Sequence, residues 1–150
     1  MTSSSHARRD TDAPRAGAGD AVNPSNARGS HHDPSASRNV ILVGNPNVGK
    51  SVVFKYLTGR HVTISNFPGT TVEITRGMTR VADTEVELFD TPGINDLAQQ
   101  SEDAQVTRDI VAAHPDATHI QVADAKNLRR ALLLTLQLSQ LRRPMVLVLN

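Results

Sequence analysis

Apolar positions divide the chain into two parts. Between Met1 and Arg38 the one larger aliphatic residue is Val22, set among Ser, Ala, Arg, Asp, Gly and Pro. Such a stretch cannot bury enough surface to offset its ordering entropy, so residues 1–38 are predicted to be a disordered polar tail. From Asn39 apolar residues recur in blocks. "NVILVG" is a continuous run ending at glycine, the pattern of a buried parallel strand. "GKSVVFKYLTG" follows, with Val53, Phe54 and Leu57 at helical spacing and Gly59 as a stop. Residues 60–71 contain Asn66, Pro68 and Gly69 and read as a loop. "TVEITRGMTRV" and "EVELF" flank the polar "ADT", predicting an antiparallel hairpin.

"SEDAQVTRDIVAA" has helical spacing. Ser101 is placed to cap it, and Glu102 and Asp103 suit the positive end of the helix dipole. "THIQVAD" reads as a strand, and "NLRRALLLTLQLSQL" as an amphipathic to largely buried helix capped by Asn127. "PMVLVLN" reads as a further buried strand. Strands alternating with helices predict an α/β fold with a mostly parallel sheet, helices on both faces and right-handed crossovers.

Composition narrows this picture rather than changing it. The 150 residues suffice for one domain, and a net charge of +1 gives no sign of nucleic acid or membrane binding. Tryptophan is absent and aromatics make up 3 %, against a base-stacking surface, so no nucleic-acid partner is expected. The absence of cysteine excludes disulfides and thiolate metal sites. No run approaches the ~18 apolar residues of a membrane span. The best candidate, "ALLLTLQLSQL", is interrupted by Thr135, Gln137, Ser139 and Gln140. The N-terminus lacks the apolar core of a signal peptide. The segment is therefore expected in an aqueous compartment, with room for a membrane portion further along a longer parent chain. "SHHD" at 30–33 reads better as solvated tail than as a metal site, since no further ligands stand at useful spacing.

The sharpest motif is "GNPNVGKS", a full G-x-x-x-x-G-K-[ST] between a predicted strand and a predicted helix. Gly44, Asn45, Pro46, Asn47, Val48 and Gly49 form the loop. Gly44 permits a tight exit from the strand, and Gly49 lets the backbone approach phosphates. Successive N–H groups and the helix start make an anion-binding concavity. Lys50 carries a point charge to the β- and γ-phosphates, and Ser51 offers a hydroxyl to Mg²⁺. Many such loops carry a second hydroxyl next; here Val52 has only its backbone N–H to give.

Two further stretches read as switches. "DTPG" alone is a weak tetrapeptide, but it follows a strand downstream of a full phosphate loop. Asp90 stands at the carboxyl edge of the sheet, where it can hold Mg²⁺ directly or through water. Thr91 and Pro92 lead to Gly93, whose N–H can meet a γ-phosphate and lose it on hydrolysis. In the loop at 60–71, Gly69, Thr70 and Thr71 form the other switch, with Thr71 the preferred Mg²⁺ ligand. Both threonines are also ordinary strand starters.

Together "GNPNVGKS", "SNFPGTTVE", "DTPGI" and "VADAKNLRRALLLTLQLSQLRRPMVLVLN" resemble the G domain of the ferrous iron transporter B family. The resemblance covers residues 39–150. It implies a P-loop NTPase of the Ras-like G-domain fold, with GTP or GDP and Mg²⁺ as ligands. The parent would be an inner-membrane protein whose cytoplasmic G domain precedes a helical domain and a transmembrane part, through which it could oligomerise. Related GTPases of ribosome assembly and tRNA modification usually follow the switch glycine with threonine-arginine-aspartate; here Gly69 is followed by Thr70, Thr71, Val72 and Glu73, which ranks them second. Val52 and Lys55 replace the family's more usual threonine and asparagine. Guanine specificity normally comes from N-x-x-D, and the chain ends at Asn150, the first residue of such a motif. GTP rather than ATP therefore rests on the resemblance. The last strand and helix of a typical G domain are expected to lie beyond Asn150.

Ras-like switches place a water-orienting glutamine just after the switch glycine; here Ile94 stands there and has no hydrogen-bonding side-chain atom. Three readings stay open: a switch with negligible hydrolysis, an arginine from a partner, or a bound monovalent cation. Asn47 offers a neutral amide oxygen suited to K⁺, and carbonyls near Ser65 and Phe67 could complete a cage. Asparagine also simply tolerates left-handed turns, and on chemistry alone the two accounts weigh equally. The resembled family includes potassium-activated members with asparagine here, which favours the cation. The expected catalytic set is Asn47, Lys50, Thr71 and Gly93.

Overall fold

The computed structural model describes residues 38–59 and 61–150. The predicted tail and the "SHHD" cluster thus lie outside the described residues, and Arg38 already begins the first strand.

Strand β1 (Arg38–Gly44) leads to helix α1 (Lys50–Thr58), and then to β2 (Val62–Asn66), β3 (Glu73–Val81) and β4 (Thr84–Asp90). Helix α2 (Glu102–Ala113), β5 (Thr118–Ala123), helix α3 (Leu128–Gln140) and β6 (Met145–Leu149) complete the described chain. The six strands form one mixed sheet in the order β2-β3-β4-β1-β5-β6. β1 pairs in parallel with both β4 and β5, and β6 pairs in parallel with β5. The β2–β3 and β3–β4 pairs are antiparallel.

Alternation along β1 explains the two layers. Ile41 and Val43 face a core shared with Val106 and Ile110 of α2 and Leu134 and Leu138 of α3. Leu42 turns the other way, toward Phe54 of α1 with Val86 and Leu88 of β4. A strand buried on both sides needs apolar residues at every position, which is why "VILV" carries no polar interruption. The crossing of β1 by both layers brings its carboxyl end, the β4 end and the α1 start together at one edge.

Four sequence expectations need correction. β6 is not a buried strand: it stands at the edge of the described sheet, with Val146, Leu147 and Leu149 exposed and Met145 and Val148 half-buried. Residues 60–71 are not all loop: Val62–Asn66 is an edge strand whose side chains are all exposed. Its β-branched Val62, Thr63 and Ile64 suit pairing with β3, and Asn66, Pro68 and Gly69 mark only the turn that follows. α3 is amphipathic rather than largely buried: Ala131, Leu134 and Leu138 are buried, while Leu132, Leu133 and Leu136 are exposed. Asn127 occupies the cap position of α3 but makes no side-chain cap bond. A 3-10 turn, Ala125–Asn127, precedes α3, and Asp124 caps that turn by accepting from Lys126 N–H at 2.8 Å. Ser101 caps α2 as expected, accepting from Ala104 N–H at 3.2 Å.

Candidate phosphate-binding site

The loop from Gly44 to Ser51 lies between β1 and α1 and lines a cleft of about 480 Å³. Asn45, Pro46, Asn47, Gly49, Lys50, Ser51 and Val52 face it, joined by Gly93 and by Asp103 of α2. The backbone bends through the left-handed region twice, at Asn47 (φ 64°) and Gly49 (φ 87°). Alternating handedness of this kind points successive N–H groups inward. A Cβ at position 49 would also come within 2.6 Å of Asn150 Nδ2, so any side chain there would displace that amide.

The loop is braced by long-range contacts. A Cβ on Gly44 would lie 2.4 Å from the Val122 carbonyl oxygen, so β1 and β5 approach backbone to backbone where the loop begins. Gly44 thus serves sheet packing as much as the exit turn. Asn150 Nδ2 donates to the Val48 carbonyl at 3.1 Å, so the last residue supports the loop from behind. Asn45 is turned away from ligand duty: buried, it donates to the Ile94 carbonyl and to Asn95 Oδ1, both at 3.2 Å. Ile94 N–H donates back to the Gly44 carbonyl at 3.0 Å. Val52 N–H is engaged with the Gly49 carbonyl at 3.0 Å, as part of the first turn of α1.

Asp90 is the polar centre. Lys50 Nζ lies 2.6 Å from its Oδ1, and Ser51 donates to its Oδ2 at 2.7 Å. Both the lysine and the carboxylate are about nine-tenths buried. A hydroxyl and a carboxylate converging at the carboxyl edge of the sheet are hard oxygen donors of the kind that Mg²⁺ takes. Thr91 fixes the turn after Asp90, its hydroxyl donating to the Leu42 carbonyl at 2.8 Å. Pro92 carries the chain on to Gly93, where a Cβ would come within 2.8 Å of Pro46 Cα. The two phosphate-facing segments are therefore in backbone contact.

Ile94 is 2 % exposed and belongs to the core between sheet, α2 and α3. Its side chain points away from the cleft, so this position orients the turn rather than a water.

The first switch is arranged differently from expectation. Phe67, Pro68, Gly69 and Thr70 make a closed turn, with Thr70 N–H donating to the Phe67 carbonyl at 3.0 Å and Gly69 at φ 79°. Proline then glycine with positive φ is the type II pattern. The Thr70 hydroxyl also donates to Phe67 O at 3.0 Å. Thr71 is exposed, and its hydroxyl and N–H lie 3.4 Å from the carboxylate oxygens of Glu102. Neither threonine lines the cleft that holds Ser51 and Asp103. The cation cage is likewise not assembled: Ser65 sits within β2 opposite Ile74, and the Phe67 carbonyl is occupied by Thr70. Of the three proposed K⁺ ligands, Asn47 alone lines the cleft.

Asp103, Asn95 and Gln137 were not singled out from sequence as site residues. Asp103 carried only a helix-dipole signal. Gln137 carried none: it donates to Asp96 Oδ1 at 2.5 Å and accepts from Leu97 N–H at 2.9 Å, across some 40 positions of chain.

The sequence profile of the FeoB_N family, ferrous iron transport protein B, matches residues 38–150. Over 106 residues the chain is 42 % identical to the Fe(2+) transporter FeoB of Methanocaldococcus jannaschii, covering 70 % of this chain and 16 % of that protein. Over 113 residues it is 40 % identical to FeoB of Salmonella typhimurium, covering 73 % of this chain and 15 % of that one. The chain thus spans about a sixth of these relatives' length. Among solved structures, the G domain of the T. maritima FeoB iron transporter superposes with a TM-score of 0.71 at 34 % identity, over 76 % of this chain and 72 % of that one. A GDP-bound mutant of S. thermophilus NFeoB superposes with a TM-score of 0.69 at 37 % identity, over 75 % of this chain and 44 % of that one.

Proposed function

The chain belongs to the FeoB_N family and is the N-terminal G domain of a FeoB protein, a P-loop NTPase fold, and from that premise we propose that it binds and hydrolyses GTP to control ferrous iron passage through a membrane-embedded parent. The observation that carries this reading is the convergence of Lys50 and Ser51 on Asp90 at the mouth of a left-handed phosphate loop.

Each residue then has a chemical task. Backbone N–H groups from Asn47 to Ser51 bind the phosphate oxygens. Lys50 leaves Asp90 for the β- and γ-phosphates. Ser51 and Asp90 would hold Mg²⁺, which would offset charge on the transferring phosphoryl group. Gly93 N–H would report the γ-phosphate, and Thr71, released from Glu102, would be the further metal ligand. Phosphoryl transfer depends chiefly on positioning and charge stabilisation, so a site with no polar side chain at position 94 can still turn over slowly. K⁺ held at Asn47 is the proposed source of added positive charge, with other ligands than Ser65 and Phe67 in the present arrangement. The family relationship sets aside the ribosome-assembly and tRNA-modification reading. A switch with negligible hydrolysis stays as the second reading, favoured by the burial of Ile94. Helical and transmembrane parts of the parent are the proposed partners, with the G domain at the cytoplasmic face.

The test is nucleotide calorimetry and single-turnover hydrolysis. Lys50→Ala is expected to abolish tight binding of GDP and GTP with Mg²⁺; unchanged affinity would remove the phosphate-loop assignment. Turnover of the wild type is expected to rise in K⁺ over Na⁺, and Asn47→Ala to lose that difference. Equal rates in both salts for both proteins would end the K⁺ assignment, and no single-turnover hydrolysis in either salt would leave the second reading.

A further inference from the structure

The segment after Gly93 is fastened to both helices that cover its face of the sheet. Asn45 and Gly44 hold Ile94, as described. Arg108 of α2 donates through one guanidinium nitrogen to the Leu97 and Gln99 carbonyls. Gln137 of α3 uses both ends of its amide, donating from Nε2 to Asp96 Oδ1 and accepting at Oε1 from Leu97 N–H. Asp96 Oδ1 also accepts from Ala98 N–H at 2.7 Å. The Gln137 bond and the Ala98 N–H hold the Asp96 carboxyl below its ordinary value of 3.8, so it is an acceptor at neutral pH and needs a donor opposite.

This clasp coexists with a Gly93 that lines the phosphate cleft against Pro46. A ligand can shift such an arrangement only through differential contacts. With a nucleotide in the cleft, the γ-phosphate of a triphosphate is the group that would meet the Gly93 amide, and a diphosphate has none to offer it. Resting on the nucleotide reading of the cleft, we propose that the Gln137–Asp96 clasp is a positioning device that sets the Gly93 amide for a γ-phosphate, and so determines discrimination between GTP and GDP. Gln137 acts through the 94–97 segment and touches no ligand. Two hydrogen bonds, one to a carboxylate, are enough to bias the segment by about tenfold.

Affinities for GDP and for a non-hydrolysable GTP analogue, each with Mg²⁺, test this in four proteins: wild type, Gln137→Ala, Gln137→Glu and Gln137→Glu with Asp96→Asn. Gln137→Ala is expected to weaken the GTP analogue by about tenfold and GDP by less than about twofold. Gln137→Glu sets two carboxylates against each other and is expected to weaken the analogue further. Adding Asp96→Asn reverses donor and acceptor, keeping both Gln137 bonds but giving up the Ala98 N–H bond to the same oxygen, and is expected to recover at least about threefold of the analogue affinity lost in Gln137→Glu. Equal loss for both nucleotides in Gln137→Ala, no loss for either, or no recovery in the double variant would overturn the proposal while leaving the site reading intact. Failure of the wild type to bind either nucleotide would sink the site reading, and this role of the clasp with it.

Discussion

The phosphate loop and the turn at residues 67–72 both have a part in the proposed nucleotide chemistry, yet they are built in opposite ways. The phosphate loop is held from outside. β5 presses on Gly44, Asn150 supports Val48, Gly93 packs on Pro46, and Asn45 ties the loop to Ile94. The turn is held from inside: Thr70 bonds back to Phe67, Phe67 N–H bonds to Val72, and outward contacts reach Glu102 at 3.4 Å. A cradle that must keep its amides aimed is therefore part of the fold. The turn, which on the proposed reading lets go of one partner and takes another, is only lightly attached to it.

Substitutions with the same chemistry should separate the two. Gly44→Ala places a methyl against the Val122 carbonyl, a backbone atom that cannot swing aside. It is expected to cost about 3 kcal/mol of stability, read as a fall in the denaturant midpoint, with nucleotide binding lost alongside. An intermediate effect is expected beneath the braced side of the sheet, at His119. This residue is fully buried, and neither ring nitrogen has a hydrogen-bond partner among the described residues. Burial first, and the Arg143 charge second, keep its imidazole neutral below the ordinary 6.5. The unfolded chain takes up a proton as pH falls through 6.5, and the folded chain does so only at lower pH. Its contribution is therefore complete above 6.5 and shrinks toward acid. His119→Leu is expected to raise stability by about 1 kcal/mol at neutral pH and by more at pH 5, flattening the profile between them. Parallel profiles for the two proteins would refute this. The smallest change is expected at Gly69→Ala. No atom lies within 4 Å of the added methyl, so only the positive φ of 79° resists it. The expected cost is about 1 kcal/mol, with Lys50-dependent GDP binding retained. Comparable losses from Gly44→Ala and Gly69→Ala would erase the distinction between an embedded cradle and a light reporter.

What could be read in advance follows the same line. "GNPNVGKS" and "DTPG" were legible because phosphate chemistry demands those residue types at fixed spacing between a strand and a helix. β1 was legible because burial on both faces leaves an unbroken apolar run; the same pattern misread β6, an edge strand of the described sheet with three of its five residues exposed. β2 was hidden, since all five of its residues are exposed and its pairing with β3 carries no burial signal. The tasks of Asn45 and Gln137 were hidden too. Their partners stand 49 and 41 positions away, and an asparagine or glutamine reads alike whether it meets solvent, a ligand or a distant backbone. Thr71 was identified by type, while the partner it faces here, Glu102, is set by how α2 approaches the turn.

The Lys50–Asp90 pair has a consequence for the order in which ligands arrive. The ammonium already neutralises the carboxylate that a divalent ion would need, so a bare ion gains little by displacing it. Once a polyphosphate offers the ammonium a richer negative partner, the carboxylate is freed at the same moment that the incoming ligand supplies oxygens of its own. On the proposed reading the metal and the nucleotide would then enter as one neutralised unit, and the site would stay indifferent to changes in free magnesium alone.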